Sequence, residues 1–152
     1  MNRRYFLGLA LSTIAAPAFA TKRSTDKSRI IRLRHAHTDE SIRITYRIGD
    51  SYQRDALAKL NHFLRDHRNG ESTHMDPKLF DLLYDLQKRI HGEECEIEVF
   101  SAYRSPNSNA QLRRASKRVA RNSFHISGKA IDVTFEDCSS SRLRESAIAL
   151  SR

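Results

Sequence analysis

A chain of 152 residues with 39% hydrophobic content fills one modest core, which excludes a multidomain architecture. Its 27 Lys and Arg outnumber 18 Asp and Glu, and the resulting formal charge of +9 favours an anionic partner: nucleic acid, acidic lipid or cell-wall polymer. The cations are interleaved with acids, and neither a nucleic-acid motif nor an aromatic stacking pattern accompanies them, so no nucleic-acid partner is expected.

Residues 1–20 read as an export signal. Arg3 and Arg4 precede Tyr5, Phe6 and Leu7, an apolar run follows over 9–16, and Ala18-Phe19-Ala20 offers a small-x-small cleavage site. The paired arginines resemble a twin-arginine signal, which implies export of the folded chain to the periplasm. The apolar run is shorter than the about 20 residues a membrane span needs, so no stable membrane insertion is expected after cleavage; retention as an anchor stays open. The remaining 21–152 form the single domain. In an oxidising compartment Cys95 and Cys138 are candidates for one disulfide, because one precedes a predicted strand and the other follows a second. Their spacing leaves open whether the bond forms.

Alternation of apolar and polar residues over 30–34 and 41–48 predicts a short hairpin. Asp50 or Ser51 then caps a predicted helix with Tyr52, Ala56, Leu60, Phe63 and Leu64 on one face, ending near Asp66. A polar loop over 68–73 leads to the clearest helix signal: Asp76 as N-cap, Pro77 at the first position, and Gly92 past the end. That helix is expected to bury Leu79, Leu82, Leu83, Leu86 and Ile90. Residues 96–101 read as a strand, and Ser105-Pro106 opens a short helix through Leu112. A basic loop over 116–122 precedes a strand over 130–135 and a serine-capped helix from near Ser140 with Leu143, Ala147 and Leu150 in phase. This last helix runs almost to Arg152 with no glycine, proline or polar tail, so the domain is expected to be incomplete at its C-terminus.

The chemistry is concentrated in His125 and Asp132, seven residues apart across Gly128. Strand alternation puts Ile131, Val133 and Phe135 on the core face and turns Asp132 towards a cleft, while Gly128 lets the chain fold His125 back towards it. Imidazole nitrogen and carboxylate oxygen both suit zinc at about 2.0–2.2 Å. From residue types alone, a histidine before a strand is more often a surface or hydrogen-bonded residue than a ligand, and a structural salt bridge stays open for Arg104.

The run Ser123-Phe124-His125-Ile126-Ser127-Gly128-Lys129-Ala130-Ile131-Asp132, an HxxGxAxD preceded by Ser-x, resembles the metal motif of the zinc D-Ala-D-Ala peptidases. Residues 101–109, read as SxYRSPxxN, resemble their second motif, and 60–70 and 75–83 are similar to helices of the murein endopeptidase K-like branch. The likeness spans about 30–150. It implies the α+β fold of the hedgehog/DD-peptidase superfamily, a small antiparallel sheet flanked by helices. It also implies a zinc metallopeptidase that cuts peptide cross-links in peptidoglycan, with Zn²⁺ as cofactor and His125 and Asp132 as two metal ligands. Arg104 would hold a substrate oxygen or carboxylate, and Ser123 would orient the histidine or the substrate, with a turn role equally open.

The family's third ligand is a histidine on a later strand, close to its general base. After Asp132 this chain has no histidine, and its acids are Glu136, Asp137 and Glu145. No catalytic residue is therefore assigned. Two readings follow: an active endopeptidase, or a silent peptidoglycan-binding relative or truncated product. His35, His37, His62, His67, His74 and His91 are expected on the solvated surface, with His74 nearest the cleft.

Overall fold

A computed structural model describes residues 28–150, so the export signal expected over 1–20 lies outside it. Strands β1 (Ser28–His35) and β2 (Ser41–Ile48) form the expected antiparallel hairpin, with Arg34 opposite Ser41. The two-residue β3 (Ser51–Tyr52) pairs with the outer side of β2. On the other side, β4 (Glu96–Ser101) runs parallel to β1, and β5 (Asp132–Phe135) is antiparallel to β4. The order is therefore β3-β2-β1-β4-β5.

The α+β class expected from the sequence is what forms, and the sheet is mixed because its β1/β4 junction is parallel. Parallel neighbours need a long crossover. The helices α1 (Arg54–Phe63) and α2 (Pro77–His91) lie in the connection between β2 and β4 and supply it. Ile31, Leu33, Ile97 and Val99 point to one face of the two central strands and are fully buried with Leu60, Leu64 and Phe80. The opposite face carries cross-strand ion pairs, Arg32 to Glu96 at 3.0 Å and Arg34 to Glu96 and Glu98.

Helix α1 starts later than its capping signals predict. Ser51 and Tyr52 are taken up in pairing with Ile48 and Arg47, which pushes the N-cap to Gln53, whose side chain makes no capping bond. Helix α2 follows its signals: Asp76 Oδ1 accepts from the Lys78 N–H at 3.0 Å, Pro77 opens the helix, and Gly92 closes it at φ 78°. Its buried face includes Phe80 and Gln87, while Leu79 and Leu82 are only partly covered. Gln87 reaches the sheet, donating to the Ile30 carbonyl at 2.9 Å beside the irregularity in the β1/β2 register.

Asp81 of α2 clamps that helix to the hairpin. Its carboxylate accepts from the hydroxyls of Tyr46 (2.9 Å) and Tyr52 (2.6 Å) and from Arg29 (3.1 Å) and Arg47 (2.9 Å). Against its burial, the bonds from Tyr52, Tyr46 and Arg47 hold this carboxyl below the ordinary range. Burial and the adjacent carboxylate together push the Tyr46 hydroxyl far up, so it remains a donor.

Helices α3 (Pro106–Ala115) and α4 (Ser140–Leu150) complete the fold, α4 lying along α2. Ser139 caps α4, its hydroxyl accepting from the Arg142 N–H at 3.3 Å. Among the described residues no helix is long and apolar enough to cross a membrane. The disulfide left open between Cys95 and Cys138 is not made: both are free thiols. The Cys138 thiol is instead turned to the Ser139 carbonyl at 3.6 Å. Burial, with Glu94 and Cys138 nearby, pushes the Cys95 thiol up to about 11, which keeps it protonated and unreactive near neutral pH.

Asp81→Ala strips one acceptor from four donors, and urea unfolding of the variant is expected to show a loss of about 3 kcal/mol. A loss below about 0.5 kcal/mol would show that the clamp is dispensable.

Candidate metal centre

Between β4 and α3 lie four residues, 102–105, with no regular structure, and neighbours on two sides fix their backbone. On one side the Tyr103 N–H donates to the Leu64 carbonyl (3.1 Å) and the Ser105 N–H to Asp66 Oδ2 (2.9 Å). On the other, the Arg104 N–H donates to the His125 carbonyl at 3.2 Å. Ser105 also caps α3, its hydroxyl accepting from the Ser108 N–H at 3.2 Å ahead of Pro106. The Asp66 side chain is wholly buried, yet bonds from Ser108, Ser105 and Arg68 outweigh that burial and hold its carboxyl below the ordinary range.

The segment that carries His125 is a compact turn. The Ile126 N–H donates to the Ser123 carbonyl (3.1 Å), the Lys129 N–H to the Phe124 carbonyl (2.9 Å), and the His125 N–H to Ser123 Oγ (3.3 Å). Gly128 is required here twice over. Its φ is +66°, and a Cβ in its place would sit 2.5 Å from the His74 carbonyl oxygen and 3.2 Å from the Met75 Cα. This close approach allows the Asp76 N–H to donate to the Gly128 carbonyl at 2.9 Å. Asn61 of α1 steadies the same stretch by accepting from the Met75 N–H at 3.0 Å.

The turn brings His125 Nε2 to 3.4 Å from Asp132 Oδ2, with the histidine largely covered and the aspartate 59% exposed. His125 Nδ1 lies 2.7 Å from the Ala102 carbonyl oxygen. A carbonyl only accepts, so Nδ1 carries a proton, and Nε2 meets Asp132 either through a second proton or as a bare lone pair. A bare nitrogen and a carboxylate at this distance repel unless a cation lies between them. Two ligands of a tetrahedral zinc at bond lengths of about 2.0–2.1 Å are themselves about 3.3 Å apart, so the pair fits one edge of such a site. The bond from His125 is the main influence holding the Asp132 carboxyl below its ordinary range, aided by the charges of His125 and Arg104 and opposed by desolvation.

Arg104 stands beside this pair. Its Nη1 and Nη2 make only long bonds, to Asn109 Oδ1 and Ser101 Oγ at 3.4 Å each, and its buried Nε has no partner. Asn109 also donates to the carbonyls of Ala120 (3.1 Å) and Arg121 (3.4 Å), joining α3 to the loop that leads into the His125 turn. A cleft of about 410 Å³ opens at Asp132, walled by Leu79, Leu82, Ile131, Leu143 and Ala147. A shallower depression of about 330 Å³ is bounded by Asn122, Ser123, Phe124 and Ile126, with Phe124 70% exposed.

His125, Asp132 and Arg104 thus converge, and Ser123 builds the turn under the histidine. Among the described residues no group of three His, Cys, Asp or Glu side chains is placed to hold a metal ion. His62 and His74 are exposed as expected; His74 Nδ1 lies 3.3 Å from Asn61 Nδ2. The expected solvated surface position is wrong for His35, which is 1% exposed and clusters with His37 and His67 at ring separations of 4.4–5.9 Å. Burial, then Arg68 and the other two imidazoles, press His67 down to about 4; burial and His37 lower His35. Sequence reading gave no role to Asp66, Asn61 or Asn109, the last of which closes the SxYRSPxxN run. Their role is to bond backbone groups distant in sequence, and no local pattern announces that.

The family model described as peptidoglycan L,D-endopeptidase MepK matches residues 23–152. The chain is 41% identical over 154 residues to the peptidoglycan L,D-endopeptidase MepK of Escherichia coli K12, covering 98% of this chain and 84% of the relative. It is 35% identical over 153 residues to a probable peptidoglycan L,D-endopeptidase MepK of Haemophilus influenzae, covering 98% and 82%. No solved structure gives a significant match.

Gly128→Ala must move backbone to relieve the clash with His74, and thermal or urea unfolding should register a loss of about 2 kcal/mol or more. An unchanged midpoint would contradict the close approach. Because His67 and His35 are neutral in the fold and protonate below about 6.5 when unfolded, stability should fall as pH drops from about 6.5 towards 4. Unfolding of His67→Gln followed across that window should show a shallower fall; an identical profile would remove the cluster as the cause.

Proposed function

This chain belongs to the peptidoglycan L,D-endopeptidase MepK family, and from that premise we propose that it hydrolyses L,D peptide cross-links in peptidoglycan as a Zn²⁺ metallopeptidase. The observation that carries the reading is the 3.4 Å meeting of His125 Nε2 with Asp132 Oδ2, while Nδ1 is committed to the Ala102 carbonyl. That arrangement sets the imidazole ring and its tautomer for a cation, in the way a backbone acceptor orients a metal-bound histidine.

His125 and Asp132 hold the ion. When bound, it supplies a Lewis acid for the scissile carbonyl and acidifies the attacking water. Arg104 binds the oxygen or carboxylate of the substrate beside it. Its guanidinium carries a permanent charge and a planar fork of donors, and its two bonds within the fold are long. Ser123 holds the backbone of His125 and borders the depression under Phe124, where it contacts substrate. The apolar cleft beyond Asp132 takes the aliphatic parts of a stem peptide. The arginine pair and apolar run at the N-terminus support export by the twin-arginine route to the periplasm, where this substrate lies.

A second reading, peptidoglycan binding without turnover, is favoured by one observation. Catalytic zinc takes three protein ligands, and among the described residues no third donor joins the pair.

The two readings separate when the purified chain, dialysed against chelator and then supplied with Zn²⁺, meets muropeptide dimers joined by an L,D or a D,D bond. Endopeptidase action predicts cleavage of the L,D dimer that depends on zinc. His125→Ala should lower that rate roughly 1,000-fold and abolish stable zinc retention. Arg104→Lys should keep the metal and lower kcat/KM by about 10- to 100-fold. Sacculus binding with both dimers left intact would establish the second reading instead.

A further inference from the structure

The cations of this chain are distributed unevenly. On the hairpin and just past the helix beside it, Arg29, Arg32, Arg43, Arg47 and Arg65 each meet a carboxylate at 2.7–3.1 Å. Between Glu98 and Asp132 the sequence contains no Asp or Glu. That stretch carries Arg113 and Arg114 in the last turn of α3, Lys117, Arg118 and Arg121 in the following loop, and Lys129 in the metal turn. All six are exposed, and among the described residues none makes an ion pair. Like charges repel one another, so their concentration in one stretch of chain is a cost to the free protein that a partner of opposite charge removes.

In sequence the patch runs up to the site. Arg121 lies four residues before His125, and its carbonyl accepts from the Asn109 amide that also accepts from Arg104. We propose that the cations of 113–129 form a docking surface for the carboxylate-bearing stem peptides of a peptidoglycan strand, holding the polymer next to the His125–Asp132 cleft. This rests on peptidoglycan being the substrate. A strand bears many carboxylates beyond those at the bond being cut, and a row of exposed cations holds them weakly, in many registers, without enclosing them. Such a surface raises the local concentration of polymer and speeds encounter, and it acts over about a Debye length of 8 Å at physiological salt.

An acidic lipid surface suits the patch less well. Membrane-surface helices pair their cations with an apolar face that enters the acyl boundary. The covered residues of α3 are the polar Ser108 and Asn109, and its last turn exposes Gln111, Arg113 and Arg114, so the helix has no apolar face to insert.

The test is co-sedimentation of the purified chain with isolated sacculi between about 50 and about 300 mM NaCl. It is run beside a variant carrying Arg113→Gln, Arg114→Gln, Lys117→Gln and Arg118→Gln, and a second in which the three arginines become lysine. The patch predicts that binding weakens as salt rises, that the glutamine variant binds roughly tenfold more weakly at low salt, and that the lysine variant binds as the parent does. Cleavage of a soluble muropeptide dimer should stay within about twofold of the parent in both variants. Equal sedimentation of parent and glutamine variant, or binding indifferent to salt, overturns the proposal. Stronger capture by phosphatidylglycerol vesicles than by sacculi overturns it in favour of a membrane. If no dimer is cleaved by any form, the endopeptidase reading fails, while salt-sensitive, patch-dependent sedimentation still upholds the docking surface.

Discussion

Asp66 is a carboxylate with no exposed side-chain surface, and a buried charge persists only where donors surround it. The donors it finds are the Ser105 and Arg68 backbone N–H groups and nearby serine hydroxyls, so satisfying this one charge fixes the end of α1 against the 102–105 connector. Asn69 adds a bond to Ser105 Oγ at 2.9 Å, and the Asp66 N–H closes its own loop on the Glu71 carbonyl. The connector thus held supplies the carbonyl that orients His125 and the backbone from which Arg104 projects. His125 and Arg104 are therefore set by the same frame.

A second constraint closes the frame from below. Gly128 lets the His125 turn press against the 74–76 backbone, and Asn61 of α1 holds that backbone in place. The turn is trapped between the connector above and the start of α2 beneath, and Asp132 enters β5 at a fixed distance from His125. Rigid support of this kind is what holds two donor side chains within about 0.5 Å of a working geometry. The paired cations of the hairpin serve the fold, through Asp81 above all, whereas those of 113–129 are left free beside the site.

Much of this was legible in the sequence where the signal is local. Asp76-Pro77 and Gly92 marked both ends of α2, Ser105-Pro106 marked the start of α3, and alternation over 96–101 placed Ile97 and Val99 inside. The glycine between His125 and Asp132 and the alternation of 131–135 were enough to expect the two side chains to meet, and the motif likeness assigned Arg104 to the same place. What depended on tertiary pairing was not legible. Ser51 and Tyr52 read as the start of a helix because nothing local shows that Ile48 and Arg47 recruit them into a strand. The parallel β1/β4 junction, the burial of His35 against Phe63 and His67, and the duty of Asp66 all arise between residues tens of positions apart. The cysteines show the converse: adjoining strand ends suggested a bond, but the Cys138 thiol is turned to its neighbour's carbonyl.

The central claim is that His125 is held as an Nδ1–H imidazole whose Nε2, facing Asp132, is reserved for a metal ion. Long-range proton–nitrogen spectra of the histidine side chains, recorded on the chelated protein at neutral pH and again with one equivalent of Zn²⁺, test it most directly. The account predicts that zinc moves the Nε2 resonance of His125 alone among the histidines, leaves Nδ1 protonated, and that Asp132→Asn weakens this response. An Nε2–H tautomer that persists with zinc present, or a response led by His74 or the His35 cluster, would contradict it.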